Sequence, residues 1–264
     1  MEATWAPAVP VYILAGQSNM EGKAQMKLLQ HQITAPETAE RFAHFHQNGE
    51  WIERDDVFIE FLGRRGKLTV GYGSRGRIGP ELDFGHVMGN HHDEPVLIIK
   101  TAWGGKSLWR DFRSPSAGLP EARMEELLEQ AKKKNSDATM KEIEASFGHS
   151  YRQMLREVRV TMGDAGERFP ELKGRRLELR GAVWFQGWTD MIDERASAEY
   201  ADNLAHWIRD LRRDLGVPDL PVVVGQLGVS GELEEGQEPK KQAFKDAQAE
   251  AALLDEWRGR VALV

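Results

Sequence analysis

The fold is decided by the stretch Val11-Tyr12-Ile13-Leu14-Ala15-Gly16-Gln17-Ser18-Asn19-Met20-Glu21-Gly22. Its first part is a short apolar run rich in strand-favouring residues, which predicts a strand buried on both faces. The polar turn that follows would lie beyond the carboxyl end of that strand, where open parallel sheets bind their ligands. A serine there, Ser18, can act as a nucleophile beside free backbone amides. A Ser-Asn helix cap after a core strand explains the same residues equally well.

Further apolar runs of the same kind alternate with amphipathic helical patterns along the chain. The predicted strands are 95–101, 181–186, 221–227 and 260–264, and the predicted helices are 79–90, 121–134, 137–162, 198–215 and 240–254. This alternation predicts an α/β fold, a parallel sheet with helices on both faces, in one three-layer domain over residues 1–264. Three shorter pieces, 51–52, 57–61 and 67–70, are typical of a small antiparallel excursion outside that sheet.

Polar or glycine-rich turns follow three of the predicted strands. If the strands are parallel neighbours, these turns share one edge of the sheet. That edge would gather Ser18, Gly104-Gly105 and the segment from Gln186 to Asp190, which together supply a hydroxyl, unobstructed glycine amides and a side-chain amide donor. An ordinary tight turn explains the glycine pair, and an ordinary strand-end polar residue explains Gln186. The coincidence of all three turns favours acyl transfer chemistry.

The segment Gly16-Gln17-Ser18-Asn19-Met20 resembles the first sequence block of the SGNH-type esterases. The similar branch contains the sialate O-acetylesterases and the acetylxylan esterases of carbohydrate esterase family 6. Gly79-Pro80-Glu81-Leu82 and Trp184-Phe185-Gln186-Gly187-Trp188-Thr189-Asp190 are similar to two further segments of that branch. The turn is not the G-x-S-x-G elbow of the α/β-hydrolases, because Met20 occupies the place of the second glycine.

The resemblance implies a flavodoxin-like α/β/α sandwich that removes acetyl groups from sugars such as sialic acid or xylan, without metal or organic cofactor. It implies that Ser18 is the nucleophile, and that Gly104 or Gly105 and Gln186 stabilise the oxyanion. The predicted substrate-binding residues are Gln17, Asn19, Trp103, Trp188 and Asp190. Trp188 departs from the family pattern, which has a glutamate at this position, so no acidic role is predicted there.

The general base is the missing part of this prediction. The resembled family supplies a histidine from an Asp-x-x-His block near the carboxyl terminus, and no such block precedes Val264. None of the eight histidines fits the role easily, and His86, in the helix that opens at Gly79-Pro80, is the least implausible substitute. We therefore expect the chain to lack the carboxyl-terminal catalytic segment of an esterase. A diverged member without hydrolytic activity is the alternative.

Two glycine-rich motifs support weaker interpretations. Gly105-Lys106-Ser107 resembles the end of a phosphate-binding loop, although Lys100 occupies the place of its first glycine. Gly71-Tyr72-Gly73-Ser74-Arg75-Gly76 matches a dinucleotide-binding pattern, but Gly79-Pro80 follows too soon for a helix to open at Gly76. A carbohydrate-binding or phosphate-binding domain without turnover thus remains the alternative function. No cluster of residues has metal-ligand spacing.

Composition narrows the partners further. The chain has 264 residues with 41% hydrophobic and 29% charged residues, which is typical of a soluble globular protein. Its net charge of -7 argues against nucleic-acid binding. No apolar run approaches the roughly 18 residues that span a bilayer, and residues 1–10 lack the features of a signal peptide. A cytoplasmic protein, or a secreted one without its leader, is expected. The absence of cysteine excludes disulfides and thiol catalysis.

Overall fold

The structure, a computed structural model, describes residues 7–228 and 238–264. The chain divides into two compact units. The first unit extends to residue 104 and includes residues 157–185, and the second contains residues 105–156 and 186–264. The prediction of a single domain over residues 1–264 stays a prediction.

Eleven strands lie in the described residues, and they include all five strands predicted for the sheet. They are β1 (Val9–Gly16), β2 (Ala24–Gln25), β3 (His46–Gln47), β4 (Glu50–Trp51), β5 (Val57–Phe61), β6 (Arg64–Lys67), β7 (Arg77–Ile78), β8 (Val96–Ala102), β9 (Leu177–Phe185), β10 (Val222–Val224) and β11 (Val261–Leu263).

Twelve α-helices lie in the same described residues, several of them a single turn long. They are α1 (Ser18–Glu21), α2 (Met26–Gln32), α3 (Ala39–Phe42), α4 (Glu81–His91), α5 (Glu121–Lys132), α6 (Met140–Ser146), α7 (His149–Gly163), α8 (Ala165–Arg168), α9 (Trp188–Met191), α10 (Glu194–Ala198), α11 (Tyr200–Leu215) and α12 (Glu238–Ala252).

The first unit is built on a mixed sheet with the strand order β9-β1-β8-β5-β6. Four of these strands are parallel, and β6 is antiparallel to β5. Gly16, the last residue of β1, is in register with Ala102 at the end of β8 and with Phe185 at the end of β9. The carboxyl ends of these three strands therefore lie side by side, as the sequence predicted.

Burial explains why β1 and β8 are continuous apolar runs. In β1 only Tyr12 is partly exposed, and every residue of β8 is buried. Leu14 and Ile98 belong to one apolar cluster of the core, in which they meet Met20 from the turn after β1. Strands buried on both faces need apolar side chains at successive positions.

The prediction for 57–61 was wrong, because β5 belongs to the main sheet of the first unit. It pairs in parallel with β8, and all five of its residues are buried. Glu60 interrupts its apolar pattern, so the pattern did not indicate a strand buried in the main sheet. The carboxylate of Glu60 is compensated by the Arg168 guanidinium at 2.9 Å and by the Gly63 N–H.

The long helix predicted over 137–162 is divided into α6 and α7. The helical spacing of its apolar residues continues across the break, so this periodicity predicted one helix where the structure has two. Gly148 lies between them with a φ of 66°, a left-handed conformation that other residues rarely adopt. A Cβ at Gly148 would lie 2.5 Å from the Arg113 carbonyl oxygen, so the break also allows close backbone packing.

The second unit contains the amphipathic helix α11, which begins two residues later than predicted. Its predicted inner residues Leu204, Trp207, Ile208 and Leu211 are buried. Gly216 ends the helix in the left-handed conformation, with a φ of 69°. In the same unit β10 and β11 form a parallel pair. No helix of the described residues is both long enough and apolar enough to cross a membrane.

These elements confirm the predicted fold class. The sheet is mixed but mostly parallel and is accompanied by helices, which is the α/β arrangement that the alternation of strands and helices predicted. The segment 71–76 connects β6 to β7 and opens no helix, so it lacks the context that dinucleotide binding requires.

Candidate functional site

The turn after β1 is held by a close approach between backbones. A Cβ at Gly16 would lie 2.1 Å from the carbonyl oxygen of Phe185, so only glycine fits at this position. The next N–H, from Gln17, donates to the same oxygen at 3.3 Å. Ser18 then opens the single turn of α1, which closes with the Gly22 N–H on the Ser18 carbonyl at 3.0 Å.

Ser18 is half-buried, and its neighbours alternate between core and solvent. Gln17 and Met20 are buried, whereas Asn19 is exposed. Within the described residues the Ser18 hydroxyl makes no hydrogen bond, to a histidine ring or to any other group. The hydroxyl is thus open to a reactant, but the burial of Gln17 leaves little of that predicted sugar contact exposed.

The turn after β8 lies beside the Ser18 turn in the first unit. The Trp103 N–H donates to the Gly16 carbonyl at 3.3 Å, which joins the ends of β8 and β1. Trp103 is half-buried and Gly104 is exposed. The Gly104 N–H makes no hydrogen bond to the described residues, so this amide is free to receive an acceptor.

A Glu-Lys ion pair that sequence analysis missed lies against Gly104. The Lys23 ammonium is 2.8 Å from Glu21 Oε2. A Cβ at Gly104 would lie 3.0 Å from that carboxylate oxygen and 3.7 Å from Lys23 Nζ. Because both residues come directly after the predicted nucleophile in the chain, their charges alone were a signal for a charged side of the site.

In the second unit, the loop that begins at Gly105 is hydrogen-bonded to the buried side chains of Gln186 and Asp190. Gly105 is exposed, with a φ of 71°, and no atom lies within 4 Å of a Cβ placed there, so its backbone conformation is what favours glycine. Gln186 is fully buried and its amide nitrogen donates to the Lys106 carbonyl at 3.0 Å and to the Asp190 carboxylate. The Tyr200 hydroxyl donates to Gln186 Oε1 at 3.1 Å.

Asp190 is an organiser of this loop. Its carboxylate accepts the Leu108 N–H at 2.9 Å and the Trp109 N–H at 2.8 Å. Burial raises the pKa of Asp190 to about 6, against the lowering effect of these N–H donors and of Gln186. Since Asp190 is 0% exposed, its carboxylate contacts the loop and not solvent, which differs from the sugar contact predicted for it.

The phosphate interpretation of Gly105-Lys106-Ser107 loses its basis because the loop already holds a carboxylate. Asp111 accepts the Lys106 ammonium at 2.9 Å, the Ser107 N–H at 2.9 Å and the Ser107 hydroxyl at 3.2 Å. The donors that would receive a phosphate are therefore occupied by the chain itself.

Trp188, where the family pattern has a glutamate, is the most accessible of the predicted sugar contacts in the second unit. Its side chain is 48% exposed at the start of α9. The neighbouring Ile192 is also exposed. An exposed indole of this kind can cover the apolar face of a sugar ring.

The eight histidines all lie in the described residues, and three of them hydrogen-bond to another side chain. His44 pairs with Asp83 at 3.0 Å, His92 hydrogen-bonds to Tyr12 at 2.8 Å, and His206 hydrogen-bonds to Ser116 at 2.7 Å. His206 is half-buried beside Ser116. Four histidines (His31, His44, His91 and His149) are exposed, and His46 is half-buried.

His86, the least implausible substitute base, is enclosed in the first unit. Its ring packs edge-on against Phe45, with the ring centres 5.0 Å apart. Burial lowers the pKa of His86 to about 4, with a smaller lowering by the Arg54 guanidinium. Its Nε2 atom has no hydrogen-bond partner. These features describe a neutral packed histidine. Across residues 7–228 and 238–264, no group of three His, Cys, Asp or Glu side chains is arranged to hold a metal ion.

Solved structures place the fold among known proteins. The crystal structure of an Arabidopsis thaliana protein is similar with a TM-score of 0.57 and 17% identity, over 98% of this chain and 85% of that one. A novel carbohydrate acetylesterase from Xanthomonas citri is similar with a TM-score of 0.50 and 17% identity, over 96% of this chain and 49% of that one. At these identities the likeness concerns the fold.

Sequence comparisons identify the family. A probable carbohydrate esterase of Arabidopsis thaliana is 21% identical over 229 residues, which are 82% of this chain and 68% of that protein. The family model described as carbohydrate esterase, sialic acid-specific acetylesterase, matches residues 8–256. That match includes the Ser18 turn, both glycines after β8 and the segment from Gln186 to Asp190. The chain therefore belongs to this carbohydrate esterase family.

Proposed function

We propose that this chain hydrolyses the acetyl esters of O-acetylated sugars, with Ser18 as the nucleophile. The observation that carries the proposal is the position of the Ser18 hydroxyl, open and directly beyond β1, with the free Gly104 amide at the end of the neighbouring strand. Membership of the carbohydrate esterase family and the likeness to the Xanthomonas acetylesterase support the same chemistry.

In the proposed reaction, Ser18 Oγ attacks the acetyl carbonyl carbon and its proton passes to a base. The Ser18 and Gly104 N–H groups receive the developing oxyanion. The sugar oxygen then leaves with a proton, and water hydrolyses the acetyl-enzyme to acetate. The roles of Gly105 and Gln186 as further donors stay sequence predictions. Both N–H groups of the Gln186 amide already have acceptors, so Gln186 would have to exchange one to bind an oxyanion.

The charge near Ser18 favours an acidic sugar, such as sialic acid, over xylan. Lys23, whose side chain is 42% exposed, lies beside Gly104 and is paired with Glu21, so the excess of positive charge comes from the next segment. The nearby segment 61–80 contains five cationic residues and no acidic one, in a chain with net charge -7. Ser74 and Arg77 of this segment donate hydrogen bonds to the Gly22 and Lys23 carbonyls, at 3.0 Å and 3.4 Å. A carboxylate on the substrate would be attracted to this side of the turn.

The nucleophile is tested by acetate release from an O-acetylated sialic acid and from acetylated xylo-oligosaccharides. With imidazole added as a base, Ser18→Ala should lower kcat/KM on both to the level of imidazole alone, because removing a serine nucleophile leaves only binding and oxyanion contributions. Covalent labelling by a fluorophosphonate should disappear in the same variant. If Ser18→Ala still releases acetate at the wild-type rate, the proposal is wrong. Binding of both sugars without acetate release would identify a carbohydrate-binding protein instead.

The substrate preference is tested by Lys23→Gln. We expect kcat/KM on the acidic sugar to fall roughly three- to tenfold, the range for losing one half-exposed charged contact, with no change on the neutral one. Lys173→Gln, which alters an exposed lysine elsewhere in the first unit, is the matched control. An equal fall of kcat/KM on both substrates would show that Lys23 does not interact with the substrate carboxylate.

A further inference from the structure

A buried ion pair outside the predicted site joins β8 to the first residue of α4. Lys100 and Glu81 both have fully buried side chains, and Lys100 Nζ is 2.5 Å from Glu81 Oε2. The ammonium also donates to the Glu21 carbonyl at 2.9 Å and to the Tyr72 carbonyl at 3.0 Å. An ammonium has three N–H groups, and all three have acceptors here.

One of these acceptors belongs to the helix that carries the proposed nucleophile. Glu21 is the last residue of α1, which begins at Ser18. In the sheet, Lys100 is in register with Leu14 of β1, so the lysine reaches α1 from the strand beside the one that precedes it. The Glu21 carbonyl is thus fixed to β8, and the single turn of α1 is held at both ends.

The Glu81 carboxylate fixes the segment Ile78-Gly79, which packs on Gly22 at the end of α1. Glu81 Oε1 accepts the Gly79 N–H at 2.9 Å. A Cβ at Gly79 would lie 2.7 Å from Gly22 Cα, and a Cβ at Gly22 would lie 2.7 Å from the backbone of Ile78. Gly22 and Gly79 are therefore both needed for this close packing. Lys100 fixes the chain before Gly22 through the Glu21 carbonyl, and Glu81 fixes the Gly79 N–H.

Stability alone is a weak reason for such a pair. Burial lowers the pKa of Lys100, and the neighbouring Glu81 carboxylate opposes that lowering. Replacing a buried ion pair by neutral side chains of similar volume is often neutral or stabilising, because the charges no longer lose their hydration. The pair does, however, fix the direction of the backbone that presents Ser18.

We propose that Lys100 and Glu81 are positioning residues that hold α1 so that Ser18 Oγ faces the acetyl carbonyl. The inference rests on the proposed function of Ser18. Misplacement of a nucleophile by about 1 Å can lower the rate about a hundredfold without weakening substrate binding. Loss of the pair should therefore lower kcat and leave KM unchanged.

The test uses the double variant Lys100→Met with Glu81→Gln. It removes both buried charges, preserves volume and keeps an acceptor for the Gly79 N–H. We expect kcat on an O-acetylated sugar to fall ten- to a hundredfold (roughly the cost of a misplaced nucleophile) with KM within about twofold, and fluorophosphonate labelling of Ser18 to slow by the same factor. A merely structural pair would leave both rates unchanged in the folded variant.

The first unit offers a matched control pair. Glu60 is buried, accepts the Gly63 N–H at 2.9 Å and binds Arg168 at 2.9 Å, and neither side chain has a hydrogen bond or ion pair to α1. Glu60→Gln with Arg168→Met should change stability by a similar amount and leave kcat and labelling at wild-type values. Equal kcat losses in both double variants would overturn the proposal.

Further outcomes separate a failure of the positioning role from a failure of the proposed function. A folded Lys100→Met, Glu81→Gln protein with wild-type kcat would refute the positioning role while Ser18→Ala still abolished activity. If that variant does not fold, Lys100→Gln with Glu81→Gln retains a donor in the same cavity, and wild-type kcat in it would refute the role equally. Activity that survives Ser18→Ala would instead reject the proposed function itself.

Discussion

Two buried ionisable residues, Asp190 and His86, have pKa values that move in opposite directions for one reason. Burial disfavours the charged form of each, which raises the pKa of the acid to about 6 and lowers that of the base to about 4. Asp190 has backbone N–H donors as partners, whereas His86 Nε2 has none. Each residue therefore makes the free energy of unfolding depend on pH, and a substitution that removes its titrating group should remove that dependence.

We expect Asp190→Asn to destabilise the protein more at pH 4 than at pH 7. The raised pKa means that the folded state binds a proton that the unfolded state releases between pH 3.8 and about 6. Asp190 thus favours folding below that window, and the benefit is lost as the pH rises through it, by up to about 3 kcal/mol.

The measurement is urea unfolding of Asp190→Asn and the wild type across this pH range. Asp219→Asn, at an exposed site in the same unit, is the control and should show no such trend. A cost of Asp190→Asn that is constant with pH would contradict the raised pKa.

We expect His86→Leu to stabilise the protein on acidification relative to the wild type. Because the folded pKa is about 4 and the ordinary value is 6.5, the unfolded state binds more protons as the pH falls below 6.5. The wild type should lose about 1–3 kcal/mol between pH 7.5 and pH 4, and the variant should not. His149→Leu, at an exposed position, is the control. Acetate release by folded His86→Leu also tests the base, since a hundredfold loss would assign that role to His86.

For single residues, the sequence predicted where a residue lies in the sheet better than which residues its side chain contacts. Ser18 and Gly104 could be placed at one edge because both follow parallel strands, which is a property of the backbone. The contacts of Gln186 could not be predicted, since its partners Lys106 and Tyr200 lie 80 and 14 residues away in the chain. The clamp by Lys100 was likewise hidden, although a lone cation inside a buried strand was its signal.

At the scale of elements, the approach of β1 to β9 constrains the site most strongly. The register of these strands shifts between Val11 and Tyr12, and they meet closely again at Gly16 and Phe185. Strands and amphipathic helices were predicted from periodicity and burial. The sequence did not reveal that β5 joins the main sheet or that Gly148 divides α6 from α7, because pairing and chain direction depend on contacts distant in sequence.

We expect Gly16→Ala to destabilise the protein by at least about 3 kcal/mol, as for other severe backbone clashes, because its Cβ would collide with the Phe185 carbonyl oxygen. Gly163→Ala, at a position where no atom lies within 4 Å of the new Cβ, should be neutral or slightly stabilising. Chemical unfolding of both variants measures the difference. Similar stabilities for the two would mean that β1 and β9 can separate without cost at this end.

At the scale of the whole molecule, family membership and charge distribution carry different information. The family model matches residues 8–256 although the probable carbohydrate esterase of Arabidopsis thaliana is only 21% identical, so family membership is recognised at low overall identity. The net charge of -7 excludes few substrates by itself. Its uneven distribution, with the cationic segment 61–80 hydrogen-bonded to the Ser18 turn, is the basis of our proposal that the substrate is an acidic sugar.

The general base can be tested on the whole chain by adding one from solution. No histidine of the described residues hydrogen-bonds to Ser18, so we expect chain 1–264 to release acetate slowly. Added imidazole should accelerate the release in proportion to its neutral form, since it can take the Ser18 proton at an open hydroxyl. Ser18→Ala with the same imidazole is the control, because imidazole alone also cleaves acetyl esters. Fast turnover that does not respond to imidazole would instead show that the chain supplies its own base, and a series of histidine variants beginning with His86→Leu would then identify it.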